Sequence, residues 1–214
     1  MDLGTNELKD MMIVVSEKIT ENEPYLTEID TLIGDADHGI GMKRGFSALR
    51  NMLSTETFET PAELMHASGI ELLKTMGGAS GVLFGTLFIA GVDLFGNTPR
   101  IDLGAFSAYI DKGTNAVMAR GKTALGDKTM VDALAPAAGA LKTAVEQGLD
   151  MCGGLSAASK AAWAGVEATK DMKPIKGRAK NFKDNSLRVP DPGAVSAALI
   201  LEAMYEYVND SHHV

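Results

Sequence analysis

Asp30, Asp35 and Asp37 stand within eight residues of one another, in the run Asp30-Thr31-Leu32-Ile33-Gly34-Asp35-Ala36-Asp37-His38-Gly39. If the chain curls at Gly34, three carboxylates converge, and crowded anions call for a cation. Mg²⁺ suits such a set, because it takes oxygen ligands and commonly shares them with substrate phosphates. The competing reading is that Asp37 only caps a helix starting at His38, with Asp30 and Asp35 in water. An EF-hand is excluded, since that loop needs Gly where Ile40 stands and Glu where Phe46 stands. A second cluster, Gly77-Gly78-Ala79-Ser80-Gly81, lies between two helical patterns. A helix opening on such residues offers unpaired N–H groups to a diphosphate with no Cβ in the way. Alternatively it is an ordinary tight turn between helices.

Gly121-Lys122-Thr123 does not make a phosphate loop, because Ala116 occupies the position of the required first Gly. Gly126 to Asp132 and Lys176-Gly177-Arg178 each bring a cation next to Gly in a predicted loop, and Arg178 could fork across phosphate oxygens. No Ser sits in a nucleophile elbow, and neither the four His residues nor Cys152 has an evident catalytic partner nearby in sequence. Metal and phosphate chemistry without a covalent protein nucleophile is what this inventory permits.

Helices must position these residues. Leu8, Met11, Val15 and Ile19 step by three or four, as do Phe106, Ile110, Gly113 and Val117. Thr60-Pro61-Ala62-Glu63 is a start signal, and Asp102 and Asp191-Pro192 supply others. Eight helices are predicted, near 6–21, 38–53, 61–76, 81–95, 103–119, 129–147, 154–171 and 192–208, with long loops over 22–37 and 172–191. The class is all-α. The 214 residues are 45% hydrophobic, 22% charged and 6% aromatic, which suits one domain spanning 1–214. A formal charge of −8 argues against a nucleic-acid binder. The apolar stretch from Gly81 to Val92 stops at Asp93, short of the ~20 residues of a membrane span. One Cys and an acidic N-terminal segment point to the cytoplasm.

Taken together, Gly34 to Gly39, Gly77 to Gly81, Gly126 to Asp132, Lys176 to Ala179 and Asp191-Pro192-Gly193-Ala194 resemble the nucleotide-binding L-subunit family of bacterial dihydroxyacetone kinases. The motifs fall in family order across nearly the whole chain. The resemblance implies an eight-helix antiparallel up-and-down barrel with a nucleotide site at one end. It implies that Asp30, Asp35 and Asp37 hold two Mg²⁺ ions. His38, Gly39, Ile40, Gly41, Gly78, Ala79 and Ser80 would line the phosphate end. Gly121, Thr129, Met130, Arg178, Asp191, Pro192 and Gly193 would complete the ADP/ATP site. In that family the nucleotide stays bound as a cofactor. A phosphohistidine protein of the phosphotransferase system recharges it, and the phosphoryl group passes to dihydroxyacetone on a separate K subunit. Gly41 and Val82 depart from the usual Asn and Pro, and residues 180–190 depart from the usual loop. A paralogue serving another small ketose or triose, or one using free ATP, fits the same motifs. So does a nucleotide-state module sensed by a transcription regulator.

Overall fold

A computed structural model describes residues 2–176, 179–181 and 186–211. Among them are nine α-helices and one pair of two-residue strands, β1 (Leu3–Gly4) and β2 (Arg100–Ile101), joined antiparallel. The helices are α1 (Thr5–Glu21), α2 (Glu23–Ile33), α3 (His38–Thr55), α4 (Pro61–Thr75), α5 (Gly78–Ile89), α6 (Leu103–Gly121), α7 (Val131–Glu146), α8 (Met151–Thr169) and α9 (Pro192–Ser211). The chain is all-α, as expected.

Eight of these helices form a closed ring. From α3 to α9 each packs on the next, and α1 closes the ring between α9 and α3. The ninth, α2, lies outside that ring against α3 and α9, where the sequence predicts a loop. Its charged residues disguise a helical stripe. Pro24 opens its first turn, and Leu26, Ile29 and Ile33 are buried at spacings of three and four.

The start signals hold. Thr60 Oγ1 accepts from Glu63 N–H at 3.2 Å, and Asp102 Oδ1 from Ala105 N–H at 2.8 Å. One stripe from each ring helix fills the interior, including Met11 and Val15, Phe46 and Leu49, Phe84 and Phe88, Phe106 and Tyr109, and Leu201 and Met204. The ring of Tyr109 stacks on Phe95 at 4.8 Å, and its hydroxyl donates to Phe88 O at 2.9 Å.

Pro136 lies inside α7 and cannot donate to Asp132 O, four residues back. Gly165 of α8 packs on that carbonyl, where an added Cβ would come within 2.0 Å of the oxygen. A small residue is required there, and α7 and α8 approach closely in consequence.

Gly78–Phe95 is the one window among the described residues apolar enough to cross a membrane, with a mean hydropathy of 1.6. It is not one continuous α-helix: α5 ends at Ile89, a 3₁₀ turn covers Val92–Phe95, and Phe84, Leu87 and Phe88 point into the core.

Candidate functional site

The last turn of α2 carries Asp30, and the turn from Gly34 to Asp37 brings Asp35 and Asp37 back beside it. One oxygen from each carboxylate lies within 4.8 Å of the others, with Asp30 buried and the other two exposed. Asp30 Oδ2 accepts from the His38 N–H at 3.1 Å, so Asp30 holds the start of α3. Asp37 occupies the N-cap position without a side-chain cap bond, which sets aside the simple capping reading. Gly34 is required by close approach, since a Cβ there would fall 2.0 Å from Asp30 Oδ1. Three oxygens converging at a solvent-facing corner fit a hard divalent cation that keeps positions for water and phosphate.

The chain leaves α4 through Gly77 (φ 74°) and Gly78 (φ 60°) and enters α5. Both sit in the left-handed region, and a Cβ at Gly78 would meet nothing within 4 Å, so the turn is open on its cavity side. The first N–H groups of α5 have no helical acceptor and carry the positive end of the helix dipole. Arg44 braces the turn from α3. Its Nε donates to Thr75 O at 2.6 Å, and its Nη2 donates to Met76 O.

His38 joins three helices. Its Nδ1 lies 3.2 Å from Ser80 Oγ on α5, and its Nε2 lies 2.8 Å from Ser196 Oγ on α9. Ser196 donates its own proton to Pro192 O at 3.0 Å, so it accepts from Nε2–H, leaving Nδ1 to accept from Ser80. Burial lowers the His38 pKa, against the pull of the Asp30 carboxylate and the Pro192 carbonyl. A neutral ring follows. It sets the relative positions of the starts of α3, α5 and α9 rather than supplying charge.

The far wall comes from the turn before α7 and the start of α9. The buried carboxylate of Asp132 accepts from Gly126 N–H at 2.5 Å and Thr129 N–H at 2.7 Å, shaping the loop that presents Thr129 and Met130. Asp191 Oδ2 accepts from Ala194 N–H at 2.8 Å, and Asp191 N–H donates to Thr169 Oγ1 at 3.0 Å. Burial pushes the Asp191 carboxyl up to about 7. The charge of Asp132 adds to that rise, while the Ala194 and Gly193 N–H groups and Lys128 oppose it.

Between these walls lies a cavity of about 630 Å³, where the N-termini of α3, α5, α7 and α9 meet. Its lining combines the three carboxylates and the Gly turn with the apolar residues Ile33, Val82, Leu83, Phe84, Val117 and Met130. A lining that joins charged and backbone polar groups to apolar side chains suits a ligand with a phosphate chain and a flat base.

Asp30, Asp35, Asp37, His38, Ile40, Gly41, Gly78, Ala79, Ser80, Gly121, Thr129, Met130, Asp191, Pro192 and Gly193 all line the cavity. Gly39 does not. It is buried against α2, where a Cβ would come within 2.3 Å of Thr27 Oγ1 and 2.6 Å of Glu23 O. Arg178 lies outside the described residues. Lys128, the cation of the Gly126 to Asp132 run, directs its ammonium to the carbonyls of Thr169, Ser186 and Val189. Arg44 was legible only as a charge on a helix. Nothing in its spacing marks it as the brace of a turn more than thirty residues away.

The DAK2 domain family matches residues 32–206. Over 204 residues the chain is 33% identical to the PEP-dependent dihydroxyacetone kinase, ADP-binding subunit DhaL, of Escherichia coli strain K12, covering 95% of this chain and 97% of that one. It is 38% identical over 194 residues to the triokinase/FMN cyclase of Rattus norvegicus, covering 90% of this chain and 33% of the other. Among solved structures, the dihydroxyacetone kinase from C. freundii in complex with AMP-PNP and Mg²⁺ superposes with a TM-score of 0.72 at 25% identity, over 96% of this chain and 34% of that one. The chain thus spans about a third of the length of those two larger proteins. By its motifs, its helical ring and these matches, the chain belongs to the DAK2-domain family, which includes the ADP-binding subunits of dihydroxyacetone kinases.

Proposed function

We propose that this protein is the ADP/ATP-binding subunit of a cytoplasmic dihydroxyacetone kinase, one domain holding a resident nucleotide with two Mg²⁺ ions. The observation that carries the proposal is the corner where Asp30, Asp35 and Asp37 bring oxygens within 4.8 Å, in the same cavity as the open start of α5. Those three carboxylates would hold the metal, which when bound neutralises charge on the phosphates. Gly78, Ala79 and Ser80 would bind phosphate oxygens through peptide N–H groups. His38 holds Ser80 in place, and the apolar residues of the lining would exclude water from the base. The chain's own contribution is therefore orientation and electrostatics rather than covalent catalysis.

In this reading a phosphohistidine protein of the phosphotransferase system recharges the nucleotide, and the acceptor ketone is held by a partner K subunit. The PEP dependence and the ADP-binding subunit role in the name of the Escherichia coli relative support a multi-subunit kinase fed from phosphoenolpyruvate. The likeness to triokinase favours a second reading, in which the acceptor is another small triose or ketose and free ATP is the donor.

Two measurements test the proposal. Acid denaturation of the purified protein should release ADP or ATP, identified by chromatography; no nucleotide released, together with no ADP binding in titration, contradicts it. The protein loaded with ATP and Mg²⁺ should phosphorylate dihydroxyacetone only when the K partner is present. Fast single-turnover phosphorylation by this chain alone would contradict the division of labour.

A further inference from the structure

Lys128 is the one buried lysine among the described residues, 1% exposed. Its backbone has φ 60°, a conformation that L-residues rarely adopt. The Asp132 carboxylate fixes it there through the flanking N–H groups of Gly126 and Thr129. An ammonium has three N–H donors, and all three are used: Thr169 O at 2.7 Å, Ser186 O at 2.9 Å and Val189 O at 2.8 Å. The first carbonyl ends α8, and the other two belong to the segment that leads into α9. Thr129 and Met130 follow Lys128 directly, while Asp191 to Gly193 begin two residues after Val189. Both stretches line the cavity, and Thr169 itself also accepts the Asp191 N–H. One side chain therefore connects two stretches of cavity wall that are some sixty residues apart in sequence.

We propose that Lys128 is a positioning residue for the nucleotide: its ammonium, enclosed by the carbonyls of Thr169, Ser186 and Val189, sets the Thr129–Met130 wall against the Asp191–Gly193 wall. This rests on the nucleotide reading of the cavity. The positive charge is the essential part. A methionine fills the same volume, but it leaves three converging carbonyls without a donor, and they repel one another and shift. Burial lowers the Lys128 pKa, and the nearby carboxylates of Asp191 and Asp171 act against that shift.

Calorimetric titration of ADP with Mg²⁺ into wild type, Lys128→Met and Lys128→Ala tests the role, with circular dichroism to follow helix content. Both variants should stay helical and bind ADP at least ~10-fold more weakly, the scale at which lost supporting contacts act on a site. Ethylammonium chloride should restore affinity to Lys128→Ala, whereas sodium chloride at equal ionic strength should not. Wild-type affinity in Lys128→Met, no rescue by ethylammonium, or variants that do not fold would each overturn the proposal. If wild type itself binds no ADP, the nucleotide reading falls and takes this role with it. If wild type binds and Lys128→Met binds equally, only the role of Lys128 falls.

Discussion

Asp35 and Asp37 face solvent while Asp30 is buried and holds the His38 N–H, so the three carboxylates are not equivalent. Changing Asp35 to Asn removes one anionic oxygen and nearly preserves shape. Metal and nucleotide affinity should fall together by ~10–100-fold or more, since even outer-shell changes cost that much; the helical signal should persist. Calorimetry with ADP and Mg²⁺ reads the loss, and unchanged affinity would place Asp35 outside the site. Asp191 gives a pH signature. Its carboxyl is raised from 3.8 to about 7, chiefly by burial, so the folded state binds this proton more tightly than the unfolded state does. The stabilisation is complete below about 4 and is lost as pH rises through about 7. Asp191→Asn keeps an N-cap acceptor for Ala194 and removes the titration. Nucleotide-free melts between pH 4 and 7 should therefore show wild type losing stability relative to the variant; parallel curves would contradict the burial argument.

At the scale of elements, α2 shows what charge does to sequence reading. Glu23, Glu28 and Asp30 look like a solvated loop, yet Leu26, Ile29 and Ile33 form a buried stripe that delivers Asp30 to the carboxylate corner. The carboxylates and the Gly turn stood out by residue type and spacing, each beside a capping or plain-turn reading, and only the family resemblance joined them into one site. The roles of Lys128, Arg44 and Gly39 were not legible, because a cation reads the same whether it meets a phosphate or a carbonyl, and a Gly reads the same in a turn or under a helix. Gly39 now carries a definite expectation. An added Cβ would meet Thr27 Oγ1 at 2.3 Å and the Thr27 nitrogen at 2.6 Å, so Gly39→Ala must push α2 off α3. Overpacking of this kind costs about 1–3 kcal/mol, and it should also weaken Mg²⁺ binding because α2 carries Asp30. Urea denaturation with a parallel metal titration checks both; an unchanged urea midpoint would mean that α2 yields without cost.

Across the whole molecule, ring closure gathers the N-termini of four alternate helices at one end, where each adds partial positive charge to the same cavity. In the proposed function that field would let a protein of net charge −8 accept a polyanion, with a cation held by Asp30, Asp35 and Asp37 carrying the remainder. The helices were readable from periodicity, whereas their closure into a ring was implied by the family resemblance alone, and the Asp and Gly clusters marked the end that carries the cavity. The most direct test is a thermal melt of nucleotide-free protein with ADP and Mg²⁺, with ADP and EDTA, and with neither. Ligand at ~100 times its dissociation constant contributes about 2.7 kcal/mol. For a chain of this size that raises the midpoint by roughly 5–10 °C. The full shift should appear with ADP and Mg²⁺ and largely vanish with EDTA; equal midpoints in all three conditions would contradict a metal-dependent nucleotide site.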